Sequence, residues 1–224
     1  MEFVDPVSLS ETLDRLNEAF FHDREISESK RREVSNWIAD RHSMRRSYAC
    51  MPAPTDADFE NGIRLFTGEK MTTGAGTAHI LGEEACRALI LFGVDNRKVR
   101  DALKASNEGM IERLSHERRK GTFCCGTCTP AYWRHLVVGG LRDSEAELRA
   151  GMKDLKKHRQ DNSRWRRYPF YYTLYALSEI DLPGAVAEMK FAAPSLERIV
   201  HRKPSDEKYA ERRRELAVRI LSRI

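Results

Sequence analysis

The sequence lacks a long apolar run. No stretch approaches the roughly 18–20 consecutive apolar residues that a membrane-spanning helix needs, so we expect no transmembrane segment. The opening residues, MEFVDPVSLSETL, also lack the basic stretch followed by an apolar stretch that is typical of a secretory signal. These two absences predict a protein that neither spans a membrane nor is secreted.

Cysteine is scarce and poorly arranged for a disulfide framework. The chain has five cysteines, an odd number, and two of them, Cys124 and Cys125, are adjacent. Small secreted scaffolds usually carry an even number of cysteines that pair in disulfides. We therefore expect reduced or metal-bound thiols and a cytoplasmic location.

Signals for β-structure are nearly absent, since there is no convincing apolar–polar alternation and no Asn-Gly hairpin. Apolar residues instead recur at helical spacing from end to end. Capping boxes at Ser8–Glu11 and Ser144–Glu147 mark two predicted helix starts. A third helix is expected to begin at Thr55 and to place Phe59, Ile63 and Phe66 on one face. The fold class is predicted to be all-α.

Length and composition favour a real hydrophobic core. The chain has 224 residues, of which 41% are hydrophobic and 33% charged, as expected for helices with solvated faces. The break at CMPAPT divides an N-terminal helical segment, 1–50, from a helical-hairpin repeat domain, 51–224. We expect the two to form one continuous domain.

A weak internal repeat is visible in the second half. Residues 128–141 and 169–182 each contain a proline-opened apolar helix that ends in a Leu-x4-Leu pattern, and 89–94 fits the same template. Charged amphipathic segments, 96–116 and 144–159, lie between these apolar helices. Alternating buried inner and half-exposed outer helices are what stacked antiparallel helical hairpins require.

One stretch, ELRAGMKDLKKHRQDNSRWRRYPFYYTLYALSEIDL, resembles a single repeat of the terpenoid-cyclase and prenyltransferase α/α toroids. Gln160 and Trp165 lie about where that family has a Gln at the end of an outer helix and a Trp in the following turn. The resemblance implies a partial α/α-toroid-like array, because 224 residues are too few for the full ring. The Asp-rich acid motif of a cyclase is missing, so the cyclase reaction is not implied.

The repeat predicts where a functional site would lie. If the inner helices are roughly parallel, their N-terminal ends share one rim, and the unusual segments 72–79, 123–128 and 164–168 all precede or begin such helices. Helix N-termini favour anions. The candidate binding residues for a small anionic or aromatic ligand are Arg134, Arg166, Arg167 and Tyr172.

The spacing of Cys125 and Cys128 permits both thiolates to reach one tetrahedral metal ion. His79 and Glu83 are four residues apart on the apolar helix 78–92, and they complete a predicted zinc site of four ligands. An iron–sulfur cluster is a weaker alternative, since it would also need Cys124 and one of the two remaining cysteines.

Other interpretations of the same residues stay open. Cys125 lies at a predicted helix start, which favours a nucleophilic or redox thiol, and His79 with Glu83 forms a candidate acid–base pair. The cysteines are equally consistent with small residues in a tight turn between packed helices.

Two classes of function follow. The first is a small-ligand or catalytic pocket at the rim, dependent on a thiol or a metal. The second is a non-catalytic helical-repeat adaptor that binds nucleic acid or protein through a basic surface. The net charge of +5 permits the second class. Nucleic-acid binding is the less favoured partner, because most basic residues are interleaved with acidic ones.

Overall fold

The computed structural model describes residues 2–71, 73–116, 120–202 and 207–224. The chain over these ranges is mostly helical, which confirms the all-α prediction at the level of secondary structure. The helices of the described ranges are α1 (Leu9–Phe21), α2 (Glu28–Ala39), α3 (Asp56–Asn61), α4 (Gly74–Phe92), α5 (Arg97–His116), α6 (Thr129–Val137), α7 (Ser144–Lys156), α8 (Phe170–Glu179), α9 (Pro183–Val200) and α10 (Lys208–Leu221).

Two short antiparallel ribbons interrupt the helices. Strand β1 (Ile63–Arg64) pairs with β2 (Lys70–Met71), and β3 (Arg159–Gln160) pairs with β4 (Arg164–Trp165). Helix α3 was expected to continue to Phe66, and this prediction was wrong. Gly62 ends α3 with a left-handed φ of 66°, a conformation that costs glycine little and that turns the chain into the first ribbon.

Of the two predicted capping boxes, the Ser8–Glu11 pair forms the Ser8 half alone, and the Ser144–Glu147 pair is absent. The Ser8 hydroxyl oxygen accepts a hydrogen bond of 3.0 Å from the Glu11 N–H, as expected. At the start of α7, Asp143 is the N-cap residue and the Ser144 hydroxyl donates to the Leu141 carbonyl instead. The Glu147 carboxylate takes no part in a capping box. It accepts a hydrogen bond of 2.6 Å from the Gly121 N–H instead.

The helices form an inner and an outer set. Helix α6 packs between α4 and α8, and these three carry the most apolar, most buried residues. Helix α5 packs on α2 and α4, α7 on α6 and α9, and α9 on α8 and α10. The stacked-hairpin arrangement and a toroid-like closure both stay predictions.

The N-terminal helices belong to the same core as the rest. Both α1 and α2 pack on α4, and buried residues from α1 through α10 form one hydrophobic cluster. Within the described ranges, no helix combines the length and the hydrophobicity that crossing a membrane requires.

Candidate metal centre

The turn before α6 is held in place by hydrogen bonds. The Thr129 hydroxyl accepts from the Phe123 N–H at 3.1 Å and donates to the Cys125 carbonyl at 2.8 Å. The Trp133 indole N–H donates to the Gly121 carbonyl at 2.8 Å. These bonds fix both ends of the segment 121–128, so the thiols it carries have a defined position.

His79, Cys124 and Cys128 meet at this turn. One ligand atom from each lies within 4.8 Å of the others, and we call these residues the rim trio. Cys128 and His79 are buried, whereas Cys124 is exposed. Imidazole and thiolate are the ligands that zinc prefers, so the described residues contain a cluster with the chemistry to hold a metal ion.

The environment of His79 keeps it neutral. Its ring packs against the rings of Tyr48 and Phe123, with centroids 4.0 Å and 5.2 Å away. Burial lowers the pKa of His79 to about 4, because a low-dielectric environment disfavours the charged imidazolium. Its Nδ1 atom is buried without a hydrogen-bond partner. A neutral ring has a nitrogen lone pair, which metal binding requires.

Cys125 lies outside the trio but close to it. Its Sγ is 3.7 Å from the Sγ of Cys128. Burial opposes ionisation of Cys125, but hydrogen bonds from Cys128 and Thr127 outweigh it, so the pKa of Cys125 lies below its ordinary value. Burial, followed by the neighbouring thiols, raises the pKa of Cys128.

Cys86, also on α4, is an ordinary core thiol and contrasts with Cys125. It is fully buried, and burial raises its pKa to about 12. A thiol of this kind is inert at neutral pH. All five cysteines lie in described residues, and none forms a disulfide.

Some of the left-handed backbone conformations of the described residues lie at the trio or in segments that contact it. Cys124 itself has a φ of 55°, and Ala49 and Cys50, next to Tyr48, have φ of 51° and 57°. Arg167, in the turn before α8, has a φ of 72°. Left-handed φ values are also found at Asp23, Ser43, Arg46, Asp143 and Ser163, so these conformations do not by themselves mark the trio as a functional site.

The turns before α6 and α8 are in direct contact. A Cβ atom built on Gly126 would lie 2.6 Å from the Arg167 carbonyl oxygen, so only glycine fits there. The side chains of Arg166 and Arg167 are exposed in this second turn. Two positively charged residues therefore lie in the turn that contacts the cysteine-bearing turn.

Glu83, predicted as a metal ligand or an acid–base group, has a different partner. Its carboxylate is hydrogen bonded to Nδ1 of His135, and both side chains are fully buried. Cys124 stands in the trio where the sequence analysis placed Cys125 and Glu83. The sequence feature that could have pointed to Cys124 as a ligand is its position next to Cys125. Cys124 has a left-handed φ in this turn, and its thiol lies beside that of Cys128.

Arg134 and Tyr172, predicted to bind a ligand, belong to a buried polar network. The Arg134 guanidinium donates to Glu84, to both carboxylate oxygens of Glu179 at 2.9 and 3.0 Å, and to Asn17 at 3.0 Å. The Tyr172 hydroxyl donates to Glu84. We call these five residues the Arg134 network.

The charges in the Arg134 network stabilise one another. Burial opposes ionisation of Glu84, but Arg134 and Arg87, together with hydrogen bonds from Tyr172 and Asn17, lower its pKa below the ordinary value. Arg134 is fully buried, and its recorded hydrogen bonds all go to protein acceptors. Arg134 and Tyr172 are therefore buried and hydrogen bonded within the protein, where the sequence predicted contact with a ligand.

Two clefts formed by the described residues lie away from the trio. One, of about 860 Å³, is lined by the starts of α1 and α4, by α3 and by the β1–β2 ribbon. The other, of about 820 Å³, lies between α5 and α7. Gly74 and Thr77, from the predicted rim segment 72–79, line the first cleft.

Comparisons with protein-family models, with curated proteins and with solved structures find no match to this chain.

Proposed function

We propose that this chain is a zinc-binding helical protein whose metal centre is the rim trio of His79, Cys124 and Cys128. The observation that carries the proposal is the approach of one nitrogen and two sulfur ligand atoms to within 4.8 Å of one another. These residues come from two segments 45 or more positions apart in the sequence.

The distances fit a zinc ion. Ligand atoms around tetrahedral zinc lie about 3.3–3.8 Å apart, given metal–ligand distances of about 2.0–2.3 Å. The trio, at up to 4.8 Å, needs side-chain movements of about an ångström to close on an ion. Soft sulfur donors with one imidazole select zinc over calcium or magnesium.

The number of protein ligands supports a role for the zinc ion other than stabilising the fold. Three protein ligands leave one position of a tetrahedral ion open to water or a small molecule, as in catalytic zinc sites. Arg166 and Arg167, exposed in the turn that contacts Gly126, favour an anionic ligand beside the centre. The proposed function is thus a zinc-dependent small-ligand or catalytic pocket.

The packing supports a matching proposal for the architecture. Helices α4, α6 and α8 pack side by side with α5, α7 and α9 outside them. We infer a partial α/α-toroid-like array, with the metal centre at the N-terminal ends of its inner helices.

Elemental analysis of protein purified without chelator tests the metal. We expect one zinc per chain, and Co²⁺ added to metal-free protein should give a thiolate-to-cobalt charge-transfer band. His79→Asn, Cys124→Ser and Cys128→Ser should each weaken zinc binding at least tenfold. Cys50→Ser, which removes an exposed cysteine outside the trio, is the matched control. Zinc binding that all three trio variants retain would refute the proposal.

A further inference from the structure

We propose that Cys125 is an oxidation site: a hydroperoxide converts it and Cys128 into a disulfide, which removes Cys128 from the metal centre. The disulfide step rests on the geometry of the two cysteines alone. The release of metal rests on the proposed function.

The two thiols are already close. Their sulfur atoms are 3.7 Å apart, so a disulfide of about 2.05 Å requires an approach of about 1.7 Å. The Cys125 carbonyl accepts from the N–H groups of Cys128 and Thr129 at 3.2 and 3.1 Å. A turn of this type holds the Cα atoms of its first and fourth residues within about 7 Å, which is compatible with a disulfide.

Accessibility makes Cys125 the member of the Cys125–Cys128 pair that reacts first. Its side chain is exposed, whereas Cys128 is only 2% exposed and Cys86 is fully buried. Cys124 is also exposed, but as a member of the rim trio it is bound to zinc in the loaded protein. Cys125, outside the trio, keeps its sulfur available to an oxidant that arrives from solvent.

The reaction balances with a hydroperoxide as the oxidant. The Cys125 thiolate attacks the terminal peroxide oxygen, the O–O bond breaks, and an alcohol leaves with a proton from solvent, which gives a sulfenic acid. The Cys128 sulfur then attacks the Cys125 sulfur, so that the S–S bond forms, the S–O bond breaks and water leaves. Two thiols are oxidised by two electrons, and the hydroperoxide is reduced to an alcohol and water.

The metal centre loses a ligand in the second step. When the Cys128 sulfur enters the disulfide, only His79 and Cys124 remain of the rim trio. Two ligands hold zinc far more weakly than three, because each coordinated group contributes to the binding free energy. A dithiol reductant reverses the disulfide and restores the site.

The test uses the zinc-loaded full chain and tert-butyl hydroperoxide. Released zinc is measured with a chromogenic chelator, lost thiols with a thiol reagent, and the linked pair by fragment-ion mass spectrometry. We expect one zinc released and two thiols lost per chain, a Cys125–Cys128 link, and recovery with dithiothreitol. Cys125→Ser should bind zinc and release it at least tenfold more slowly, whereas Cys50→Ser should behave as the unmodified chain does.

The outcomes separate this inference from the proposed function. If Cys125→Ser binds zinc and releases it as fast as the unmodified chain, the inference fails and the metal site stands. A Cys124–Cys128 link, or a Cys125→Ser variant unable to bind zinc, overturns the inference as well. If no zinc binds to the unmodified chain, the proposed function and the release step both fail. The Cys125–Cys128 link is then judged by mass spectrometry alone.

Discussion

The rim trio and the Arg134 network each combine a residue of α4 with residues of α6 or of the turn before it, and they differ in how their polar atoms are satisfied. In the network, the Arg134 guanidinium donates to three different side chains, and Glu84 accepts from three. In the trio, the buried Nδ1 of His79 has no hydrogen-bond partner. Both regions are polar and largely buried, yet of the two only the trio contains a buried side-chain atom recorded without a hydrogen-bond partner.

The difference shows that burial of polar groups does not by itself mark a functional site. A buried charge is tolerated when other protein groups satisfy it, as in the Arg134 network. A buried polar atom without a partner carries an uncompensated cost, which a ligand or metal ion removes. The network should therefore govern stability, and the trio should govern binding.

The largest expected effect is on the network. Arg134→Met leaves Glu84 and Glu179 without their main counter-charge, and breaking a buried pair from one side costs about 3–5 kcal/mol. Urea unfolding should show this loss, while zinc stoichiometry of the folded fraction is unchanged. Arg149→Met, at the exposed pair with Glu145, is the control and should cost less than about 1 kcal/mol. Equal losses of unfolding free energy in Arg134→Met and Arg149→Met would contradict a stabilising role of the Arg134 network.

Zinc should affect stability through the trio alone. Zinc at 100 times its dissociation constant should raise the free energy of unfolding by about 2.7 kcal/mol. The increase should vanish in His79→Asn and persist in Glu84→Gln, as measured by urea unfolding with and without zinc. An increase that survives in His79→Asn would mean that the metal binds elsewhere.

A smaller effect should appear in the pH dependence. The pKa of Glu84 lies below its ordinary value of 4.5, so its charge stabilises the fold fully above that pH. This contribution is lost as the pH falls through the folded pKa. Glu84→Gln should lower stability at pH 7 by about 2 kcal/mol and flatten the loss below pH 4.5. If the free energy of unfolding depends on pH in the same way in the unmodified chain and in Glu84→Gln, Glu84 does not cause the loss of stability at low pH.

Sequence reasoning found much of the local structure, because capping and periodicity act over a few residues. The Ser8–Glu11 cap, the apolar helix α4 and its end at Gly93 all follow from short patterns. The same reasoning misjudged the end of α3, since the turn at Gly62 also depends on the pairing of Ile63 with Met71.

The candidate site was only partly predictable. His79 and Cys128 were selected from residue type and spacing, and both belong to the trio. Glu83 was selected for the same reasons, but its partner is His135, 52 residues away. Arg134 was expected to face a ligand, since spacing alone does not show that Glu84 and Glu179 lie close enough to occupy it.

The sequence by itself determined the helices, their order and the alternation of apolar with charged ones. Local hydrogen bonding and hydrophobic periodicity are sufficient for these features. Only the tertiary structure decided that Cys124 joins His79 and Cys128, and that Arg134 is enclosed by carboxylates. Those contacts join residues from different helices and turns, and the packing of α4, α6 and α8 sets their distances.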